Sequence, residues 1–382
     1  MGMLMEPVLK LLRELVALPS VNPAFLPPGD VHAGERRVAD FLAAKAAGLG
    51  LDIDFQEVLP GRPNLFVRLE PRGPVRRRVV LAAHMDTVGG LEIPGRLFIP
   101  RIVRGRLYGR GACDTKGSVA AYFTALGELA RGSHRPQNTE IIFIGLIDEE
   151  NGQAGSRALV KRKFKADLAI VGEPTLLKVV TAHKGDLWLR LETQGRAAHG
   201  AAPELGRNAV HEMARIVDFL ETAYRARLDG RGHPLLGKPT INVGLIKGGL
   251  QPNVVPEQCA VWVDRRTIPG ETEEGILREL RGALRAQGLK ARIASAKNGP
   301  CPPLATDEQT PLVRQLFNAA GQTRPEGVRY FCDAAILARG GTPSVVFGPG
   351  NIAQAHTADE WISVASLNKA VQVLTRFLES LP

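Results

Sequence analysis

Seven polar residues stand where buried strands end or helices begin: His84, Asp86, Asp114, Glu149, Glu150, Glu173 and His356. His84 closes the apolar run Arg78 to Ala83, and Asp86 follows two residues on. Side chains of an extended segment alternate faces, so this pair projects on one side. An imidazole backed by a carboxylate suits a metal ligand, and the same pair equally fits a histidine hydrogen-bonded to its neighbour. Asp114 arrives through Gly109-Arg110-Gly111 just before a helix, where an aspartate serves as a cap or as a ligand. Asp148-Glu149-Glu150 ends the buried run Glu140 to Ile147. Open α/β sheets place their ligands at such carboxyl ends. Three adjoining acids repel one another unless a cation relieves them; the plainer reading is acids leaving a core for water. Glu173, in Gly172-Glu173-Pro174-Thr175, ends another apolar strand in the same way.

Two histidines and several carboxylates suit a site for two divalent ions. One aspartate can bridge the ions, leaving each a histidine and a further acid. Mixed imidazole and carboxylate donors favour zinc, with cobalt or manganese as alternatives. A water shared by two such ions ionises near neutral pH and becomes a nucleophile for hydrolysis. A further glutamate, kept off the metals, would move protons. Nucleotide loops are excluded: Asp114 stands where a dinucleotide loop needs its third glycine, and Thr115 stands where a P-loop needs the glycine before Lys116.

The elements that must position these residues alternate. Helices are expected over about 6–18 and 34–49, with strands near 52–58, 64–69 and 78–83. A long loop after Val88 leads to a helix over 117–131, strand 140–147, a helix to about 163 and strand 168–171. This is a layered α/β domain. From about Thr181 the order becomes strand 187–193, helix 208–227, strands 240–246 and 258–266, helix 272–287 and strand 289–294. That is the split pattern of a ferredoxin-like layer. It predicts an insertion over 182–297 between a first catalytic part, 1–181, and a second, 298–382. The second part resumes with a helix from Pro311, strand 344–347 and a last helix over 363–378.

The 382 residues are enough for two domains. Hydrophobic residues at 44% and charged residues at 23% are ordinary for a globular chain. A net charge of +10 raises a rival function, a basic protein that binds nucleic acid or another acidic partner. The basic residues are dispersed, however, and no aromatic-rich basic motif accompanies them, so no nucleic-acid partner is expected. Cys113, Cys259, Cys301 and Cys332 stand alone, which argues against a cysteine zinc knuckle. No export signal is evident and no apolar run reaches membrane-spanning length. A cytoplasmic protein without a membrane partner is therefore expected.

Taken as a set, five motifs resemble the acetylornithine deacetylase, succinyl-diaminopimelate desuccinylase and carboxypeptidase G group of metallohydrolases, over essentially the whole chain. They are His84 to Val88, Gly109 to Gly117, Asp148-Glu149-Glu150, Gly172 to Thr175, and Gly348 to His356. The resemblance implies a zinc-peptidase-like α/β catalytic domain with a mixed central sheet flanked by helices. It also implies an inserted ferredoxin-like α+β domain acting as lid and dimerisation domain, hence a homodimer. By the same resemblance His84, Glu150, Glu173 and His356 hold two divalent ions, most simply zinc, and Asp114 bridges them. Glu149 is then general base and acid, and Asp86 orients His84. In the insertion, Gly195-Arg196-Ala197-Ala198-His199 resembles the stretch whose histidine polarises the scissile carbonyl across a dimer interface. Gly249 to Pro256 resembles the segment that supplies an asparagine, Asn253, to the same oxyanion. Asp264-Arg265-Arg266-Thr267-Ile268-Pro269 matches the motif whose arginine, Arg266, grips a substrate carboxylate, which suits a guanidinium fork. The implied activity is cleavage of the amide of an N-acyl amino acid. Gly350 to His356 leans toward the acetylornithine deacetylases; desuccinylase, di- or tripeptidase and carboxypeptidase are the alternatives. Thr115 stands where the family usually has methionine.

Overall fold

The computed structural model describes residues 6–89, 94–297 and 299–382. Two compact units emerge, Met1–Thr181 with Thr306–Glu326 and Cys332–Pro382, and Ala182–Ala305 with Gly327–Phe331.

The first unit is built on a mixed sheet. Its order runs Asp52–Leu59, Arg62–Leu69, Thr139–Leu146, Arg77–His84, Leu168–Val171, Ser344–Val346. The first two joints are antiparallel and the next three parallel. Thr139–Leu146 is buried at every position, as a parallel strand covered on both faces should be. In register, His84 lies opposite Leu146, and Val171 opposite both Ala82 and Val346. The carboxyl ends of the four parallel strands therefore come level, and the chain beyond them carries the acids and histidines singled out above.

Helix Lys116–Arg131 packs against helices Pro7–Val16 and Val364–Glu379, shutting Leu12, Leu15, Leu126, Leu374 and Phe377 from solvent. Pro7 opens the first helix, where its missing N–H costs nothing. The far end of that helix is held by Lys116, whose buried ammonium donates to the carbonyls of Leu15 (3.0 Å) and Leu18 (2.6 Å). Burial lowers this lysine to about 7.

The segment after Val88 departs from the expected long loop. Arg101–Val103 and Arg106–Tyr108 form a hairpin, and its second strand pairs with Trp361–Ser363. Arg104 and Gly105 both take positive φ, 49° and 72°, as a tight two-residue hairpin turn requires. Strands of three residues are too short to leave a periodicity signal. Residues 90–93 of that loop, and Asn298 at the start of the expected return segment, lie outside the described residues.

The second unit carries four antiparallel strands in the order Thr240–Gly248, Gln258–Thr267, Gly185–Gln194, Arg292–Ser295. Leu187, Leu189 and Leu191 alternate inward while Trp188 and Arg190 face out. Helices Ala209–Phe219 and Glu273–Ala286 cover the inner face: Met213, Ile216, Ile276 and Leu280 share one core with Leu189, Leu191, Val261 and Val263. Thr272 caps the second helix, its hydroxyl accepting from the Gly275 N–H at 3.1 Å. The strand and helix order is the ferredoxin-like layer predicted above. Among the described residues no helix is long and apolar enough to cross a membrane.

Candidate metal centre

The level strand ends of the first unit bring His84, Asp86, Asp114, Glu149, Glu150, Glu173 and His356 into one cluster. His84 is buried, and its Nδ1 lies 3.0 Å from the backbone carbonyl of Asp86. A carbonyl only accepts, so Nδ1 keeps its proton and Nε2 is the atom available to a metal. Nε2 faces Asp114 Oδ1 at 3.2 Å and Glu173 Oε1 at 3.8 Å. Burial opposes a charge on this imidazole, but Asp114 and Asp86 outweigh it and hold its pKa well above the ordinary range.

Asp114 presents its two oxygens to different histidines. Oδ1 faces His84, while Oδ2 lies 3.2 Å from His356 Nε2, which is itself 3.1 Å from Glu150 Oε2. The cap alternative fails, because Thr115 takes the capping position and the helix has no side-chain cap bond. Burial disfavours charge on Asp114, yet the two imidazoles prevail and set its carboxyl below the usual range. The turn before it needs glycine: Gly111 has φ of +79°, and a Cβ there would meet Thr87 Cγ2 at 2.9 Å.

That turn is held by Glu360, which the motifs do not reveal. Its buried carboxylate accepts from the N–H groups of Gly111 (2.9 Å), Cys113 (2.8 Å) and Asp114 (2.9 Å), and from Arg110 Nη1 (2.9 Å). Only its place four residues after His356 could have drawn attention to it. Glu360→Ala should strip Arg110 of its carboxylate partner, leaving it the Thr357 carbonyl at 3.2 Å, and strand three amides. Breaking such a buried pair costs about 3–5 kcal/mol, so the urea midpoint should fall markedly with an unchanged slope. An unchanged midpoint would refute this role.

The acids crowd. His84, Asp114 and Glu150 offer ligand atoms within 4.8 Å of one another, and so do His84, Glu149 and Glu173. Burial, then the charges of neighbouring carboxylates, pushes Glu149 and Glu173 well above the carboxylate range. Burial and Asp114 push Glu150 up to about 7. Asp333, not anticipated from the sequence, adds to the crowding. It is buried, bonded to the Ser156 hydroxyl at 2.5 Å, and pushed up to about 6 by burial. Cations relieve such repulsion, and imidazole with carboxylate is a donor set for zinc, cobalt or manganese. Burial pushes the thiols of Cys113 and Cys332 up, leaving them protonated and poor ligands.

The remaining candidates lie in the second unit. His199 and Asn253 are brought together there: His199 bridges Val254, and the Gly200 N–H donates to the Asn253 carbonyl at 2.8 Å. Both are exposed. The Ala201 N–H donates to His199 Nδ1 at 3.1 Å, so the neutral ring carries its proton on Nε2, free to donate. Arg266 is on a separate strand, and its fork is closed on Asp264 at 2.9 and 3.0 Å. Arg265 points the other way and is fully buried.

Residues 80–380 match the family described as Peptidase family M20/M25/M40. An acetylornithine deacetylase from Edwardsiella ictaluri is 32% identical over 379 residues, 96% of each chain. The M20 metallo-carboxypeptidase Sso-CP2 from Sulfolobus solfataricus has a TM-score of 0.77 at 20% identity, covering 98% of this chain and 99% of that one. YXEP from Bacillus subtilis, described as a dinuclear metal-binding peptidase of the M20 family, has a TM-score of 0.71 at 14% identity, covering 97% and 96%. The last two likenesses carry the fold, and the first two findings carry kinship across nearly the whole length. The chain belongs to peptidase family M20/M25/M40 and is a hydrolase of amide or peptide bonds.

Proposed function

We propose that this hydrolase is a dinuclear metal amidohydrolase that removes the acyl group from an N-acyl amino acid. The observation that carries it is Asp114, a buried carboxylate with one oxygen toward His84 and the other toward His356. His84 and Glu173 would hold one ion, His356 and Glu150 the other, and Asp114 would span them. Bound zinc ions would supply Lewis acidity and an ionised water near neutral pH. Glu149 would take the proton of the attacking water and hand it to the leaving amine. The Nε2–H of His199 and the amide of Asn253 would donate to the oxygen that becomes negative. Arg266 would exchange Asp264 for the substrate carboxylate.

Relatives that carry the name acetylornithine deacetylase support the acyl amino acid class. A homodimer through the second unit is part of the proposal. Strand Thr240–Gly248 is a sheet edge, and Leu245, Ile246 and Leu250 on and after it are 45%, 53% and 97% exposed. A cytoplasmic site of action fits Cys113, Cys259 and Cys332, which are free thiols.

The test is a metal-controlled substrate screen. Stripping with a chelator should abolish hydrolysis, and zinc or cobalt should restore it. N-acetyl amino acids, N-acetylornithine among them, should exceed N-succinyl and N-formyl analogues and dipeptides in kcat/KM by about tenfold or more. Preference for dipeptides or tripeptides would make the protein a peptidase. Activity indifferent to chelation would overturn the metal mechanism.

A further inference from the structure

Behind the metal centre lies a second polar layer. Asp86 turns its carboxylate away from simple service to His84. Its Oδ1 accepts from the Glu149 N–H and its Oδ2 from the Glu150 N–H, both at 3.1 Å. The Asn22 side-chain amide donates to Asp86 Oδ2 at 2.8 Å and to Asp148 Oδ1 at 2.9 Å. Asp148 Oδ1 also accepts from Arg62 Nη2 at 3.2 Å. Arg62 closes on Glu35 with two bonds, 2.7 and 2.6 Å, and Glu35 Oε1 returns to the same turn by accepting from the Asp148 N–H at 3.1 Å. The network thus joins the loop after the first helix, the start of helix Arg36–Ala47, strand Arg62–Leu69, the end of strand Arg77–His84 and the 148–150 turn.

Asn22, Glu35 and Asp86 have no exposed surface, and Asp148 has 4%. Burying three carboxylates around one guanidinium is a poor way to stabilise a fold, since an apolar cluster of similar volume does as well or better. Such a network has a better physical use in fixing direction. Asp148 itself sits at φ +65°, a costly conformation for a residue with a Cβ, which persists only where the surroundings over-determine it. That conformation aims the next two residues, Glu149 and Glu150, at the cluster. A fork–fork pair holds a carboxylate plane in a way an ammonium does not.

We propose that Arg62, acting with Glu35 through Asn22 and Asp148, is the positioning residue of the metal centre: it fixes Asp86 and the 148–150 turn, and through them His84 and Glu150. This rests on the metal-hydrolase reading above. Its test measures zinc binding, so an error in the substrate class leaves it untouched.

Purified full-length protein is stripped of metal and titrated with zinc against a chromophoric chelator. The variants are Arg62→Met, Arg62→Lys, Asn22→Ala and the Asn22→Ala/Arg62→Met pair. Arg62→Met and Asn22→Ala should each weaken zinc about 10–100-fold, the usual effect of losing the partners of metal ligands. The pair should be no weaker than its worse single member, because both cut one relay. Arg62→Lys should recover part of the affinity, keeping the charge but not the fork. With a working substrate, kcat should fall while KM holds. Leu374→Ala, a cavity in the distant core, should lower the melting temperature and leave zinc affinity alone. If Arg62→Met fails to fold, Asn22→Ala and Arg62→Lys decide. Zinc affinity within about twofold of wild type in the folded variants, or fully additive losses in the pair, would reduce the network to a structural one and overturn the proposal.

Discussion

Glu149→Ala should lower kcat by about 10²–10⁴-fold, leaving KM and metal content close to wild type. The main chain of Glu149 is pinned, its N–H donating to Asp86 at 3.1 Å and its carbonyl accepting from the Gln153 amide at 2.8 Å. Removing the carboxylate should therefore leave the turn in place. Burial, Glu173, Asp333 and Glu150 all push this acid's pKa upward, the direction that strengthens a carboxylate as a proton acceptor. Geometry leaves a rival, because Glu149 is close enough to His84 and Glu173 to be a ligand itself. The two roles separate by metal analysis of the purified variant. A base leaves stoichiometry intact and removes turnover, whereas a ligand takes an ion with it. Normal turnover in a metal-replete Glu149→Ala variant would end the assignment of this residue to proton transfer.

The candidate centre was legible in the sequence wherever a strand ended. His84 follows an apolar run directly, Glu149, Glu150 and Glu173 follow one within three residues, and parallel register then makes such positions neighbours. Asp114 is marked by its glycines, but its local sequence fits a cap as well as a ligand; only the fold turns its two oxygens toward two histidines. The supporting residues left no such mark. Asn22 lies in a proline-rich loop, Glu35 at a helix start and Arg62 at a strand start, each a common place for its residue type. Their meaning comes from partners 64, 113 and 86 positions away. Glu360 is the extreme case, holding an amide 246 residues upstream. Local pattern reports which face of an element is buried; it carries no information on which buried polar atoms will meet.

The same distinction explains the role of Asp86. Period-two alternation places it on the side of His84, which suggests a carboxylate behind an imidazole. In the structure the shorter contact to His84 Nδ1 is the Asp86 carbonyl at 3.0 Å, and the carboxylate is 3.4 Å away. The side chain divides its attention among Asn22 and the amides of the next strand's turn. One residue thus ties a histidine to a base-bearing turn from an element about sixty positions on, and spacing alone could reveal only the first half.

Asp114→Ala should abolish both metal sites, and Asp114→Asn should abolish one. With alanine, His84 and His356 lose their shared partner, and Glu150 and Glu173 are left without the bridge between the ions they would hold. Metal content should fall from near two per chain toward zero. Turnover should drop on the order of 10³-fold or more, since the Lewis-acid contribution is worth several kcal/mol and each 1.36 kcal/mol is a factor of ten. Asparagine keeps the shape and one accepting oxygen but presents NH₂ to the other side, and an NH₂ cannot ligate a cation. One ion should remain and activity should stay low. The contrast matters because a carboxylate serving a single ion predicts another outcome. Asparagine would then keep the ion on its oxygen side, the second site would be indifferent to the change, and both variants would retain metal at the untouched position. Metal analysis of the two variants side by side therefore decides whether Asp114 spans the site. Equal, undiminished binding in both would remove the observation on which the dinuclear proposal stands.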